Sequence, residues 1–122
     1  MNKAQALNNF WNSFGLKAYD ENTLPSTASF PYITYNTVTD SLDNVVNLYS
    51  SLWYRDTSWK AISDKTEEIA QALGSGGKVI KLDSGYLWLC KGTPFAQRMS
   101  DPNDDMIRRM YINVQAEYLT AY

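Results

Sequence analysis

The residues of this sequence that could do chemistry are mainly carboxylates and glycines, because the chain contains no histidine and only one cysteine. Without histidine, neither a Ser-His-Asp nor a Cys-His catalytic site can form, and no imidazole is present to bind a metal ion. Cys90 lies within an apolar run and is interpreted as a small hydrophobic residue of a strand. This composition favours packing and assembly over catalysis.

The densest group of carboxylates is the segment DPNDD, residues 101–105. A calcium loop between two helices needs glycine at its sixth position and glutamate at its twelfth. Counted from Asp101, these positions hold Met106 and Ile112. The segment is therefore predicted to be a solvated turn, and a weak ion site or an acidic contact with a partner's arginine are the alternatives.

Two further patterns lack the geometry that their chemistry requires. The glycine-rich residues 74–77 follow a helical pattern, whereas a phosphate-binding loop precedes a helix. Glu67 and Glu68 are adjacent on that helix and do not converge, and Asp40 and Asp43 belong to one turn. We therefore expect neither an enzyme nor a cofactor.

Charge and hydropathy narrow the class of protein. The formal net charge is -2 and the cations are scattered, so the sequence does not predict a nucleic acid partner. Residues 1–7 lack the apolar core of a signal peptide, and no apolar run reaches membrane-spanning length. We expect a chain that is made and folded in a reducing cytoplasm.

Hydrophobic periodicity predicts two helices. In residues 2–14, one apolar stripe is formed by Leu7, Phe10, Trp11 and Phe14, and Asn2 with Gln5 can cap the start. The second helix is predicted for residues 58–73. Gly15 and Gly74 are expected to end the two helices.

Strands are predicted for residues 31–39, 45–55, 78–82, 86–91 and 109–117, and loops for residues 16–30 and 92–105. The resulting order is α-β-β-α-β-β-β in a single domain of residues 1–122. The predicted fold is α+β, a mainly antiparallel sheet of four to five strands with two helices packed on one face.

The aromatic residues are too numerous for the core alone: the chain has nine tyrosines, four tryptophans and four phenylalanines. In the strand 45–55, Leu48 and Leu52 share one face, while Tyr49 and Trp53 share the other. If the helices cover one face of the sheet, the second pair is left on the open face. An uncovered aromatic patch marks an interaction surface.

Four segments carry a resemblance to a known family: FWNSFGLKAYD (residues 10–20), SFPYITY (29–35), SLWYR (51–55) and GTPFAQ (92–97). They resemble tail-terminator (tail-completion) proteins of long, flexible-tailed phages and prophages, of the lambda-terminator kind. The resemblance implies a structural virion protein in the tail or neck. Such a protein forms a hexameric ring on the tail tube, stops tube polymerisation and provides the surface for head-tail joining.

The resemblance implies three partners: further copies of the chain, the tail tube protein and the head-tail connector protein. It implies no cofactor, no specific nucleic acid and no membrane. Alternatives are another neck, connector or tail-tube component, or a small binding module unrelated to virions. The residues predicted to form partner or oligomer interfaces are Tyr49, Trp53, Arg55, Pro94, Phe95, Gln97, Arg98, Asp101, Asp104 and Asp105.

Overall fold

A computed structural model describes all residues, 1–122. Its helices are α1 (Lys3–Asn12) and α2 (Lys60–Leu73). Its strands are β1 (Lys17–Asp20), β2 (Tyr32–Tyr35), β3 (Val45–Arg55), β4 (Lys78–Leu82), β5 (Gly85–Ser100) and β6 (Ile107–Thr120), and a short 3₁₀ turn covers Glu21–Thr23.

Local sequence explains where the helices begin and end. At the start of α1, the Asn2 side chain accepts a hydrogen bond from the Gln5 backbone, and the Gln5 side chain accepts one from the Asn2 backbone. Gly15 follows α1 with φ at +79°, and Gly74 follows α2 with φ at +64°. Both φ values favour glycine. Helix α2 ends at Leu73 as predicted, whereas α1 ends at Asn12, two residues before the predicted end at Phe14.

The six strands form one mixed sheet in the order β1-β2-β3-β6-β5-β4. The first two strands are parallel and every other neighbouring pair is antiparallel. The sheet curls into a half-barrel, and α1 contacts both edge strands, β1 and β4. Both helices contribute to the core on the inner face of this half-barrel.

The predicted fold is wrong in strand number, element order and sheet type. The predicted loop 16–30 contains β1, which pairs in parallel with β2 and makes the sheet six-stranded and mixed. A strand of only four residues is too short to display an alternating pattern. Its existence depends on a distant partner, which sequence periodicity does not reveal.

The predicted loop 92–105 is also wrong over most of its length. Strand β5 continues to Ser100, and a register shift between Lys91 and Ala96 absorbs the irregular residues around Pro94. Beyond Leu89, β5 pairs only with β6, so its other edge faces no strand. Proline is tolerated at such an edge or bulge, which is why Pro94 does not end the strand.

The core forms where alternate strand residues meet the helix stripes. Trp11 of α1, Ile69 of α2 and Leu52, Ile112 and Leu89 of the sheet are all at most 1% exposed. The neighbouring residues on each strand lie on the outer face of the sheet, which neither helix covers. The fold thus leaves one broad sheet face available to a partner.

Candidate functional site

The outer face of the sheet carries the aromatic residues that the sequence singles out. In β3, Leu52 is buried in the core, whereas Tyr49 and Trp53 lie half-buried on the opposite face. Strand β6 adds Arg109 and Tyr111 to this face. The alternation of the strands therefore collects these side chains on one surface.

The side chains on this face stack one after another across neighbouring strands. The rings of Tyr32 and Trp53 lie 6.2 Å apart at 21°, and those of Tyr49 and Tyr111 lie 5.6 Å apart at 22°. The Arg109 guanidinium joins the two pairs, at 4.7 Å from the Trp53 ring and 5.8 Å from the Tyr111 ring. These five residues are called the outer aromatic row.

Hydrogen bonds hold the polar atoms of this row. Trp53 Nε1 donates to Thr34 Oγ1 at 2.9 Å, Arg109 Nε to Ser51 Oγ at 3.0 Å, and the Tyr49 hydroxyl to Glu21 Oε1 at 2.6 Å. Side chains held in one arrangement before binding lose little conformational entropy on binding. The outer aromatic row is thus ordered before a partner arrives.

Two tyrosines of the row are poorer acids than free tyrosine. The hydrogen bond to Glu21, followed by a smaller effect of burial, raises the pKa of Tyr49 above its ordinary value. Burial raises the pKa of Tyr32. Both phenols therefore stay neutral at physiological pH and can donate hydrogen bonds.

A second candidate region is the turn between β5 and β6. Arg55 Nε lies 3.3 Å from Asp104 Oδ2. The backbone N–H of Met106, and then the charge of Arg55, lower the pKa of Asp104. Asp101 accepts hydrogen bonds from the backbone N–H groups of Asn103 and Asp104. The carboxylates of Asp101 and Asp104 thus shape the turn.

Next to this turn, two arginines share one indole ring. The guanidinium of Arg98 lies 4.8 Å from the centre of the Trp59 ring, and that of Arg108 lies 5.3 Å from it. Arg108 also donates to the backbone oxygens of Asp105 and Thr57. No carboxylate forms an ion pair with either arginine. Arg98 is exposed, so its charge is available to an acidic group of a partner.

The remaining predicted residues lie along β5. Phe95 packs half-buried against the core, and Gln97 is exposed opposite Tyr111. The backbone oxygen of Pro94 accepts a hydrogen bond from Asn113 Nδ2 at 2.9 Å. The predicted interface set is therefore divided: Tyr49 and Trp53 belong to the outer aromatic row, and Gln97 lies beside Tyr111 of that row. The other seven residues lie in the second half of β5, in the β5–β6 turn or at the end of β3.

Sequence reasoning missed three members of the row: Tyr32, Arg109 and Tyr111. In β6, the buried residues Met110 and Ile112 alternate with Arg109 and Tyr111, so the sequence pattern of this strand already groups Arg109 and Tyr111 on its other face. Their contact with β3 depends on the pairing of Trp53 with Arg109, and no local pattern specifies that pairing. Glu21, which accepts the hydrogen bond from Tyr49, lies in the predicted loop 16–30 and was not in the predicted interface set.

The structure offers few groups for acid-base or metal chemistry. Nowhere do three or more side chains of the types His, Cys, Asp and Glu lie close enough together to hold a metal ion. Burial raises the pKa of the Cys90 thiol, which disfavours the reactive thiolate.

The largest cavity is an open cleft of about 440 Å³ between α1 and β1. Side-chain amides of Gln5, Asn8 and Asn9 line one wall, and Asp20 and Thr37 line the other. Hydrogen bonds from the Thr37 hydroxyl and the Asn22 backbone lower the pKa of Asp20, so this wall carries a negative charge at neutral pH. The cleft suits a polar or cationic occupant.

Comparison with protein-family models, curated proteins and solved structures finds no match to this chain. Neither helix has the length and apolar character needed to cross a membrane.

Proposed function

We propose that the protein is a structural virion protein that forms a ring at the head-proximal end of a phage tail tube. There it ends tube polymerisation and provides the surface to which the head connector binds. Its partners are further copies of itself, the tail tube protein and the connector. It performs no catalysis and uses no cofactor. The observation that carries this proposal is the outer aromatic row, an ordered and uncovered surface.

The composition of the row is typical of a protein-protein contact. Tyrosine, tryptophan and arginine are the residues most enriched among those that dominate binding energy at interfaces. Here all five members belong to these three types, and contacts within the chain hold them in place. A rigid, amphipathic surface of this kind can bind a protein partner at low entropic cost.

The same stacking argues against a nucleobase or sugar as the ligand. A base binds by stacking on an open aromatic face. In the row, Trp53 has Tyr32 on one side and Arg109 near its ring, and Tyr111 is stacked with Tyr49. Because neighbours within the chain occupy these ring faces, a protein surface that meets ring edges and hydroxyl groups is the better fit.

The decisive experiment is to measure the mass of the purified protein over a concentration series by light scattering and to image it by negative-stain electron microscopy. Closed rings of about six subunits, alone or on preformed tail tubes, are the expected result. Long tubes would instead identify a tail-tube subunit. A protein that stays monomeric and does not cap tail tubes would overturn the proposal.

A variant tests the part played by the row. Tyr111→Ala removes the ring that stacks on Tyr49 and Arg109, and we expect it to weaken tube capping or head joining by about tenfold or more. Tyr122→Ala is the control, because Tyr122 is 79% exposed and lies outside the row. Equal activity of both variants would exclude the outer aromatic row as the binding surface.

A further inference from the structure

The β1 side and the β5 side of the sheet lie at the same height on the molecule. Rows of paired residues run across five strands, the first from Lys17 to Met99 and the fourth from Asp20 to Ala96. The four residues of β1 are thus level with four residues of the unpaired part of β5. A neighbouring copy related by rotation about an axis parallel to the strands would bring these two sides together without a vertical step.

The strand directions are compatible with such a contact. Strands β1 and β6 run in the same direction, because β1 is parallel to β2 and two antiparallel pairings separate β2 from β6. Strand β5 is antiparallel to β6 and therefore to β1. In adjacent copies, β5 of one would run antiparallel to β1 of the next.

The two sides also carry charges that no ion pair within the chain neutralises, and these include the exposed cation Lys17 on β1. On the β1 side, Asp20 lies in the inner-face row of Tyr35 and accepts hydrogen bonds only from neutral groups, whereas Glu21 bonds Tyr49 on the outer face. On the β5 side, Lys91 and Arg98 are exposed and have no carboxylate partner. Complementary charges of this kind fix orientation and disfavour wrong contacts.

The cleft beside β1 can bind the edge of a strand, but a strand bound there would not simply extend the sheet. Asn12 of α1 already bonds both backbone groups of Ala18, donating to its oxygen at 3.2 Å and accepting from its nitrogen at 3.0 Å. Further along, the amides of Gln5 and Asn9 line the cleft. A side-chain amide both donates and accepts hydrogen bonds, so it can satisfy the backbone groups of an incoming edge.

We propose that the cleft between α1 and β1 of one copy binds the unpaired edge of β5, residues 93–100, of a second copy, with Asp20 diagonally across from Arg98 on the same face of the sheet. The contact uses two different surfaces of the chain, so it is heterologous and closes into a ring when the rotation permits. This inference deepens the proposed function and rests on it for the ring.

Charge reversal tests the contact. Arg98→Glu and Asp20→Lys are each expected to weaken self-association by about tenfold or more, because each places like charges across the contact. An equimolar mixture of the two variants is expected to associate like the wild type, because each altered side then meets the complementary altered side. Association is measured by light scattering and counted as rings in electron micrographs, alone and on tail tubes.

Matched controls separate the contact from general charge effects and from misfolding. Lys81→Glu and Glu67→Lys make the same changes at exposed residues outside the two surfaces, and they should associate like the wild type. Where a reversal fails to fold by circular dichroism, Arg98→Gln and Asp20→Asn remove the charge alone and should weaken association in the same direction.

The outcomes distinguish the contact from the function. Single variants that associate like the wild type, or a mixture no better than either variant, overturn the contact; tube capping by the wild type would still support the proposed function. If the mixture restores self-association but the wild-type protein does not cap tail tubes, the contact is supported and the proposed function is overturned. A wild-type chain that remains monomeric both alone and on tail tubes overturns both.

Discussion

Ser50 and Ser51 show how a single step along a strand changes the environment of a side chain. Both residues are buried, but Ser50 faces the core and Ser51 faces the outer side of the sheet. The Ser51 hydroxyl accepts a hydrogen bond from Arg109 of the outer aromatic row, whereas the Ser50 hydroxyl has no partner. A buried polar group without a partner costs free energy, while a bonded one can contribute to stability.

Replacing these serines is expected to have opposite effects. Ser50→Ala removes an unsatisfied hydroxyl and should raise the free energy of unfolding by about 1 kcal/mol. Ser51→Ala removes the acceptor of Arg109 and should lower it by about 1 kcal/mol. Urea unfolding followed by circular dichroism measures both. A loss of stability in Ser50→Ala as large as that in Ser51→Ala would show that the core hydroxyl is satisfied.

At the scale of elements, the short strand β1 depends on α1 as much as on β2. An exposed strand edge is a site of unwanted pairing, and proteins usually cover or blunt it. Here the Asn12 side chain bonds both backbone groups of Ala18 and so imitates one residue of a neighbouring strand. The connection between α1 and β1 is short, which brings Asn12 into position.

Asn12→Ala should therefore destabilise the protein more than other substitutions on the exposed part of α1. We expect a loss of about 1–2 kcal/mol, because the N–H and C=O of Ala18 lose their partners. Asn9→Ala is the control and should change stability by less than about 0.5 kcal/mol. Hydrogen exchange of the Ala18 amide shows whether the loss of stability arises at β1. We expect this amide to exchange faster in Asn12→Ala than in Asn9→Ala. Equal exchange rates in the two variants would contradict the role of Asn12.

At the scale of the whole molecule, the half-barrel buries Tyr118 completely. Its hydroxyl donates to the backbone oxygen of Val38 at 2.6 Å, and the Lys3 ammonium lies 5.3 Å from its ring. Tyr118 thus joins the last strand to the segment between β2 and β3 and to α1. Burial raises the pKa of Tyr118 from 10.0 to about 12.

This pKa shift predicts a loss of stability at high pH. The folded state holds the phenol proton more tightly than the unfolded state, so the contribution of Tyr118 is complete below pH 10 and is lost as the pH rises towards about 12. We expect a decrease of about 2–3 kcal/mol over this range. Chemical unfolding at several pH values measures it.

Tyr118→Phe provides the control for the pH dependence. It should cost about 1 kcal/mol at neutral pH through the lost hydrogen bond, and it should flatten the alkaline decrease. Tyr86→Phe, at a tyrosine that is 47% exposed, should leave the decrease unchanged. An unaltered alkaline decrease in Tyr118→Phe would assign the effect to other tyrosines.

Prediction from sequence succeeded where a pattern is local. The capping residues of α1, the bounds Val45–Arg55 of β3 and Lys78–Leu82 of β4, and the alternation of β6 all depend on residues a few positions apart. It failed at β1 and at the second half of β5. In both segments, pairing with a distant strand overrides a weak local preference for strand structure. The second half of β5 contains a proline, and β1 is a short run with polar ends.

The sequence alone determined the chemical character of this protein: a chain without histidine, rich in tyrosine, with alternating strands whose outer residues are aromatic or charged. These properties follow from composition and period, which are local. Only the tertiary structure decided which residues meet. The register of β3 with β6 joins Trp53 to Arg109, and the curl of the sheet opens a cleft beside β1 level with the unpaired edge of β5. Strand pairing and curvature are set by contacts between residues far apart in the chain, so no local pattern could specify them.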